Sequence, residues 1–168
     1  AELDELCRIA AKYGMRVLED GAQGFGGSLG GRRACSFGDA STTSFFPAKP
    51  LGCYGDGGAI FTNDESLALT LRSLRAQGSS PVDKYDNLTI GLNSRLDTLQ
   101  AAILLPKLKA FIDYELCAVN AAAARYSELL TDNVVKPLVK EGYLSSWAQY
   151  TILLKDQSQR DGLKAHLS

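Results

Sequence analysis

The sequence holds one histidine, one tryptophan and one methionine among 168 residues, and no apolar run nears the ~20 residues that a membrane-spanning helix requires. The lone His166 cannot build a histidine-rich metal site. Cys7, Cys35, Cys53 and Cys117 lie scattered with no CxxC pair, which argues against zinc, so no metal is expected. An excess of charge is also lacking: 18 basic and 19 acidic side chains leave a net charge of -1, with no electrostatic reason to expect nucleic acid or an anionic membrane as partner. No secretory leader opens the sequence, and the four cysteines are expected to be reduced, structural thiols of a cytoplasmic protein. There is no initiator methionine before Ala1, and both ends fall inside helical patterns (Leu3, Leu6, Cys7, Ile9 and Ala10; Leu163 to Leu167). The expectation is a fragment of a longer protein.

What is present is an ordinary globular composition, 45% hydrophobic and 22% charged, enough for one sizeable core. Residues 2–13 have the spacing of an amphipathic helix, with Gly14 placed to end it. Residues 15–18 form a short apolar run leading into Glu19 and Asp20, the pattern of a strand whose end presents carboxylates. Helix followed by strand is an α/β signature. Residues 21–38 are glycine-rich and predict loops or a hairpin. Residues 40–46 and 58–62 predict two further strands, joined by PAKPLGCYGDG, whose prolines and glycines forbid a regular element. Asn63 or Asp64 is placed to cap a helix carrying Leu67, Leu71 and Leu74. An exposed loop is expected over 77–93. Helix follows from about 94 to 130, interrupted or kinked at Pro106, then a strand over 150–154 and a last helix over 158–167. The domain boundary is placed near 106–136.

A lysine in a loop is ordinarily a solvated surface group, and Lys49 alone does not depart from that. Its neighbours do. It stands between Pro47 and Pro50 on the connection between two predicted strands, where partial desolvation would favour the neutral, nucleophilic amine. Ser44 lies at the end of one predicted strand and Asp20 at the end of the preceding one. Parallel α/β sheets bind ligands at the carboxyl ends of their strands, so Asp20, Ser44 and Lys49 can converge on one crevice. A carboxylate for a protonated ring nitrogen, a hydroxyl for a phosphate and an amine are the parts a pyridoxal phosphate enzyme requires. The glycine-rich GFGGSLGG lacks the Walker Lys-Ser/Thr and the Rossmann spacing and reads as a loop. Trp147 and Tyr150 read as structural aromatics, and Asp56 as a turn former.

Three segments carry a more specific signal: VLEDGAQGFGGSLGGRR, SFGDASTTSFFPAKPLGCYGDGGAIFTND and GLNSRLDTLQAAILLPKL. In this order they closely resemble the DegT/DnrJ/EryC1/StrS family of sugar aminotransferases, fold-type I pyridoxal phosphate enzymes, over about residues 1–130 and weakly beyond. The resemblance implies an α/β fold: part of the large, cofactor-binding domain over 1–110, with a mainly parallel sheet flanked by helices, then a linking helix and an incomplete small α+β domain over 111–168. It implies that Lys49 of the SFF-x-x-K motif forms the Schiff base, that Asp20 of E-D-x-A-Q pairs with the pyridine nitrogen, and that Gln23 lies against the ring. It implies further that Ser44 binds the phosphate. Asn93 of G-x-N-x-R would reach the phosphate of the other subunit's cofactor, making a homodimer necessary; by position alone, Asn93 also reads as a cap for a helix starting near Arg95.

Departures from the family pattern are Gly21 where many relatives have Ala, Pro50 where many have Asn, and Gln77 where many have His. The retained lysine argues against the related dehydratases, in which histidine replaces it. FFPAKPLGCYGDGGAIFTND, with WAQYT at 147–151, looks most like the members that aminate UDP-linked 3-keto-N-acetylhexosaminuronic acids, with glutamate as amino donor, for surface polysaccharide. A 4-keto-6-deoxysugar aminotransferase and an inactive fragment remain alternatives.

Overall fold

A computed structural model describes residues 2–168. The first helix, α1, spans Leu3–Lys12, with acidic Asp4 and Glu5 in its first turn and Lys12 in its last, as the helix dipole favours. Strand β1 follows at Leu18–Asp20, a few residues later than the apolar run at 15–18 predicts. The reason is local. The Val17 N–H donates to the Asp39 carboxylate at 2.8 Å, and its carbonyl accepts from the Asp39 N–H at 2.9 Å, so the ladder proper begins only after it.

The main sheet has three strands in the order β1, β4 (Ala40–Ser44), β5 (Gly58–Phe61). β1 and β4 run parallel, with Asp20 opposite Thr42. β5 returns antiparallel, Ser44 opposite Gly58 and Ser41 opposite Phe61, because the connection over residues 45–57 carries no helix to bring the chain back in the same sense. A second, small antiparallel sheet has the order β3 (Arg32–Arg33), β2 (Ser28–Leu29), β6 (Tyr143–Leu144). Its hairpin turns on Gly30 and Gly31, with φ of 56° and 82°, the pair of positive values that a two-residue turn of this hand demands.

Helix α2 spans Glu65–Leu74, capped by Asp64, whose carboxylate accepts from the Leu67 N–H. α3 runs over Thr98–Ala110, capped by Asp97, which accepts from the Leu99 N–H at 2.8 Å. The helix therefore starts later than Arg95, and Asn93 does not cap it. Nor does Pro106 interrupt it. The proline removes one backbone hydrogen bond, but Leu104 before it and Phe111 after it are both buried in the core, and this packing holds the helix through the defect. A π turn over Phe111–Glu115 passes directly into α4, Leu116–Leu129. The strand expected over 150–154 is a single bridge, Val135 with Leu153, since no neighbouring segment extends the ladder. The last helix, α5, spans Gln157–Leu167.

The core gathers Phe45, Leu51, Cys53, Leu104 and Phe111, with Phe25, Leu96 and Leu116 packed against them. Phe111 lies so close to Gly26 that a Cβ there would meet the ring at 2.3 Å. The glycine is required by this approach. All four cysteines are free thiols. Among the described residues no helix is long and apolar enough to cross a membrane, and no cluster of side chains is gathered to hold a metal ion.

The junction of β1 with β4 makes a pH-dependent prediction. The Val17 N–H, and then the Arg16 guanidinium, hold the Asp39 carboxyl below its ordinary range. A depressed carboxyl stabilises the fold above its unfolded pKa of about 3.9, and the contribution is lost as pH falls through the folded value. Asp39→Asn should lower the melting temperature at pH 7. The gap between variant and wild type should narrow below about pH 4, and a gap independent of pH would contradict this role.

Candidate functional site at the carboxyl edge of the sheet

Asp20 and Ser44 are the last residues of β1 and β4. These strands are parallel neighbours, so both side chains stand at the same carboxyl edge of the sheet. Asp20 is exposed, and one of its oxygens accepts from the Ala22 N–H at 3.0 Å, which leaves the other free. The Ser44 hydroxyl oxygen accepts from the Phe46 N–H at 3.2 Å, so its proton is available to donate outward.

The chain leaves Ser44 into the turn that carries Lys49. This turn is closed by the Cys53 N–H donating to the Phe45 carbonyl at 2.7 Å, and within it the Lys49 N–H donates to the Phe46 carbonyl at 2.9 Å. Gly52 packs flat on the loop: a Cβ there would lie 2.6 Å from the Pro47 carbonyl oxygen. Phe45, Leu51 and Cys53 are buried on either side of the lysine, Cys53 to 1% exposure. Its thiol lies 3.0 Å from the Phe45 carbonyl oxygen. From α3, the Gln100 side chain accepts from the Tyr54 N–H at 2.8 Å and ties down the far end. Lys49 is thus half-buried on a loop whose two ends belong to the core. Among the described residues its amine enters none of the ion pairs.

Gln23 follows on the turn after Asp20. Its side chain is exposed, and its carbonyl accepts from the Ser146 hydroxyl at 3.2 Å. Asn93 is held by a different set of neighbours. It bridges to Ala76, the flanking Leu92 and Ser94 N–H groups donate to Leu74 and Arg75, and its side chain accepts from Arg95 at 3.2 Å. Asp20 and Ser44 therefore end the β1–β4 pair and Gln23 and Lys49 lie on the turns that leave those two ends, whereas the bonds of Asn93 run to the end of α2. A hollow between the β4–β5 face and α2 is lined by none of these five residues.

Two residues beneath the edge, Glu19 and Cys35, have parts to which the motifs assign no role. Glu19 is buried to 6% exposure, its oxygens accepting from the Cys35 N–H at 2.7 Å and the Phe37 N–H at 3.0 Å. Cys35 is a non-glycine residue at φ 68°. Burial first, then the charges of Glu19 and Asp20, push its thiol up to about 11, so it stays neutral. The signal in the sequence is the alternation of a strand: if Asp20 faces a ligand, Glu19 faces the interior.

Comparison with known proteins gives this arrangement a context. The family described as DegT/DnrJ/EryC1/StrS aminotransferase matches residues 1–168. The UDP-2-acetamido-2-deoxy-3-oxo-D-glucuronate aminotransferase of Pseudomonas aeruginosa is 46% identical over 167 residues, covering 98% of this chain and 46% of that protein. Among solved structures, a DegT DnrJ EryC1 StrS aminotransferase from Brucella abortus superposes with a TM-score of 0.93 at 49% identity, over 99% of this chain and 43% of that one. NtdA from Bacillus subtilis, with bound cofactor PMP, superposes with a TM-score of 0.79 at 27% identity, over 96% of this chain and 37% of that one. The chain therefore spans less than half the length of each of these relatives. On the match along its whole length and on its fold, the chain belongs to the DegT/DnrJ/EryC1/StrS aminotransferase family.

Proposed function

We propose that this chain is part of a pyridoxal phosphate-dependent aminotransferase that converts a nucleotide-linked keto sugar into an amino sugar. The observation that carries the reading is an amine on a core-anchored turn, beside the strand edge where a free carboxylate and a donating hydroxyl stand. That donor set suits pyridoxal phosphate: Lys49 for its carbonyl carbon, Asp20 for its ring nitrogen, Ser44 for its phosphate and Gln23 for the face of its ring. The bound PMP of NtdA is a further support. Residues 1–110 are assigned to the cofactor-binding domain, and 111–168 to the linking helix and small domain.

When bound, the cofactor supplies an electron sink for the carbanion formed at the amino donor's α carbon. The residues of the chain do the rest. The Asp20 carboxylate holds a proton on the ring nitrogen, because an adjacent negative charge favours the cationic form. Ser44 donates to the phosphate and Gln23 orients the ring. With the cofactor in place, Lys49 as a free amine would take the α proton of the donor and hand it on, and in the second half-reaction would deliver a proton to the carbon that becomes the amino sugar's stereocentre. The family's two half-reactions, donor first and keto sugar second, use this one base. The substrate is assigned as UDP-N-acetyl-3-keto-hexuluronate on the strength of the Pseudomonas aeruginosa relative and its 46% identity, with a place in cytoplasmic synthesis of surface polysaccharide.

In the full-length protein, Lys49→Ala should remove the cofactor's absorbance near the visible edge and slow transamination by at least about 10²-fold. An unchanged spectrum would sink the assignment. Supplied with UDP-linked 3-keto uronate and with a nucleotide 4-keto-6-deoxysugar, the enzyme should turn over the first; preference for the second places it in the other branch. If Asn93 acts across a twofold interface, mixing Lys49→Ala with Asn93→Ala subunits should restore roughly a quarter of wild-type activity, from hybrid dimers with one intact site. No restoration after proven subunit exchange would put Asn93 in its own subunit's site.

A further inference from the structure

Glu19 is a charge in the core, and a buried carboxylate is tolerated only when fully hydrogen bonded. Its two partners are the N–H groups of Cys35 and Phe37, at 2.7 and 3.0 Å. Bonds to an ionised acceptor are roughly twice as strong as neutral ones, so the bend at 35–37 is clamped to the underside of β1. The clamp holds an unfavourable conformation: Cys35 sits at φ 68°, which a non-glycine residue leaves unless its surroundings fix it.

The consequence reaches the other face of the strand through Gly21. A Cβ on Gly21 would lie 2.2 Å from the Cys35 sulfur, so the thiol is the floor on which the turn after Asp20 rests. The roof of that turn is fixed from β4, by the Gly21 N–H donating to the Thr42 carbonyl at 2.8 Å and the Thr43 hydroxyl to the Gly21 carbonyl at 3.3 Å. The next N–H, of Ala22, is the one that holds the Asp20 carboxylate. A continuous set of contacts therefore runs from the Glu19 oxygens through the Cys35 bend and Gly21 to the carboxylate of Asp20. The Ser41 hydroxyl, donating to the Cys35 carbonyl at 2.6 Å, braces the bend from β4. The neutral state of the thiol keeps a third negative charge from collecting beside Glu19 and Asp20.

We propose that Glu19 is a positioning residue for Asp20: by clamping the Cys35–Phe37 bend it sets the turn that aims the Asp20 carboxylate at the cofactor's ring nitrogen. This rests on the aminotransferase reading above. Replacement by Gln keeps the size but presents an amide N–H to one of the two N–H donors, so the bend must shift.

The test uses the full-length protein loaded with pyridoxal phosphate. Glu19→Gln, Glu19→Asp and Gly21→Ala are compared with wild type by the pH midpoint of cofactor absorbance and by thermal melting. A displaced Asp20 should move the midpoint by about one unit in Glu19→Gln, and less in Glu19→Asp, which keeps the charge. Gly21→Ala, which pushes on Cys35 without touching Glu19, should shift it in the same way, and adding Cys35→Gly should return it towards wild type. A lowered melting temperature with an unmoved midpoint in both Glu19→Gln and Gly21→Ala would show that Glu19 only stabilises the fold, and would overturn the proposal. Should Glu19→Gln fail to fold, the Gly21→Ala pair decides alone. If the wild-type protein binds no cofactor, the aminotransferase reading falls and the proposal with it.

Discussion

The packing of Phe45, Leu51 and Cys53 against Leu104 and Phe111 joins the end of the central strand and the turn bearing Lys49 to a segment distant in sequence, the long helix that leads into the C-terminal part. Within the turn itself the lysine is held only by its own N–H to the Phe46 carbonyl, since the prolines and glycines form no ladder. Position comes from its flanks. Each fully buried aliphatic or aromatic side chain contributes about 1.5–3 kcal/mol, and the contributions at either end of the turn act on the same short loop. The aromatic rings extend this anchorage: Phe25 meets Phe45 edge-on at 6.2 Å and lies parallel to Phe61 at 6.5 Å, drawing the glycine-rich loop and β5 onto the same cluster.

Polar groups set what the apolar cluster only supports. Asp20 and Glu19 are adjacent acids with opposite fates, one exposed at the carboxyl edge of the sheet and one buried beneath it, because successive side chains of a strand point to opposite faces. The same alternation puts Ser41 and Thr43 inside β4, where their hydroxyls bond the Cys35 and Gly21 carbonyls, and leaves Ser44 at the edge. The central strand is therefore polar on its buried face, and its side chains act as braces for the two loops that frame the edge.

The placement of Asp20 and Ser44 at one edge was legible because each closes a β-rich run and parallel strands bring their carboxyl ends together; Asp64 was legible as one of two candidate caps, whereas the glycines of 21–38 left loops and a hairpin equally open. Other features depended on partners distant in sequence. Strand alternation alone points Glu19 inward, but its partners, the backbone N–H groups of Cys35 and Phe37, lie sixteen and eighteen residues away and no local pattern names them. Pro106 reads as a helix break until Leu104 and Phe111 are seen buried on either side. The apolar stretch at 150–154 has the composition of a strand but finds only Leu153 paired with Val135, while Trp147 before it takes a left-handed conformation at φ 48° and stacks on Tyr150. Strand formation is decided by a neighbour, and composition cannot supply one.

The small sheet links the two ends of the chain: Leu29 pairs with Tyr143, and the Tyr143 hydroxyl donates to Glu2 at 2.6 Å. During synthesis the hairpin at 28–33 emerges long before its partner strand. Its outer edge stays unpaired while more than a hundred further residues are made, and it is completed by one of the most non-local contacts in the molecule, Ser28 with Leu144. The shortness of each strand, two residues in β2 and two in β3, limits what a foreign strand can add to that edge, and Arg32 and Arg33 charge the neighbouring one. A waiting edge kept this short and charged is a poor template for aggregation during the interval before the chain closes on itself.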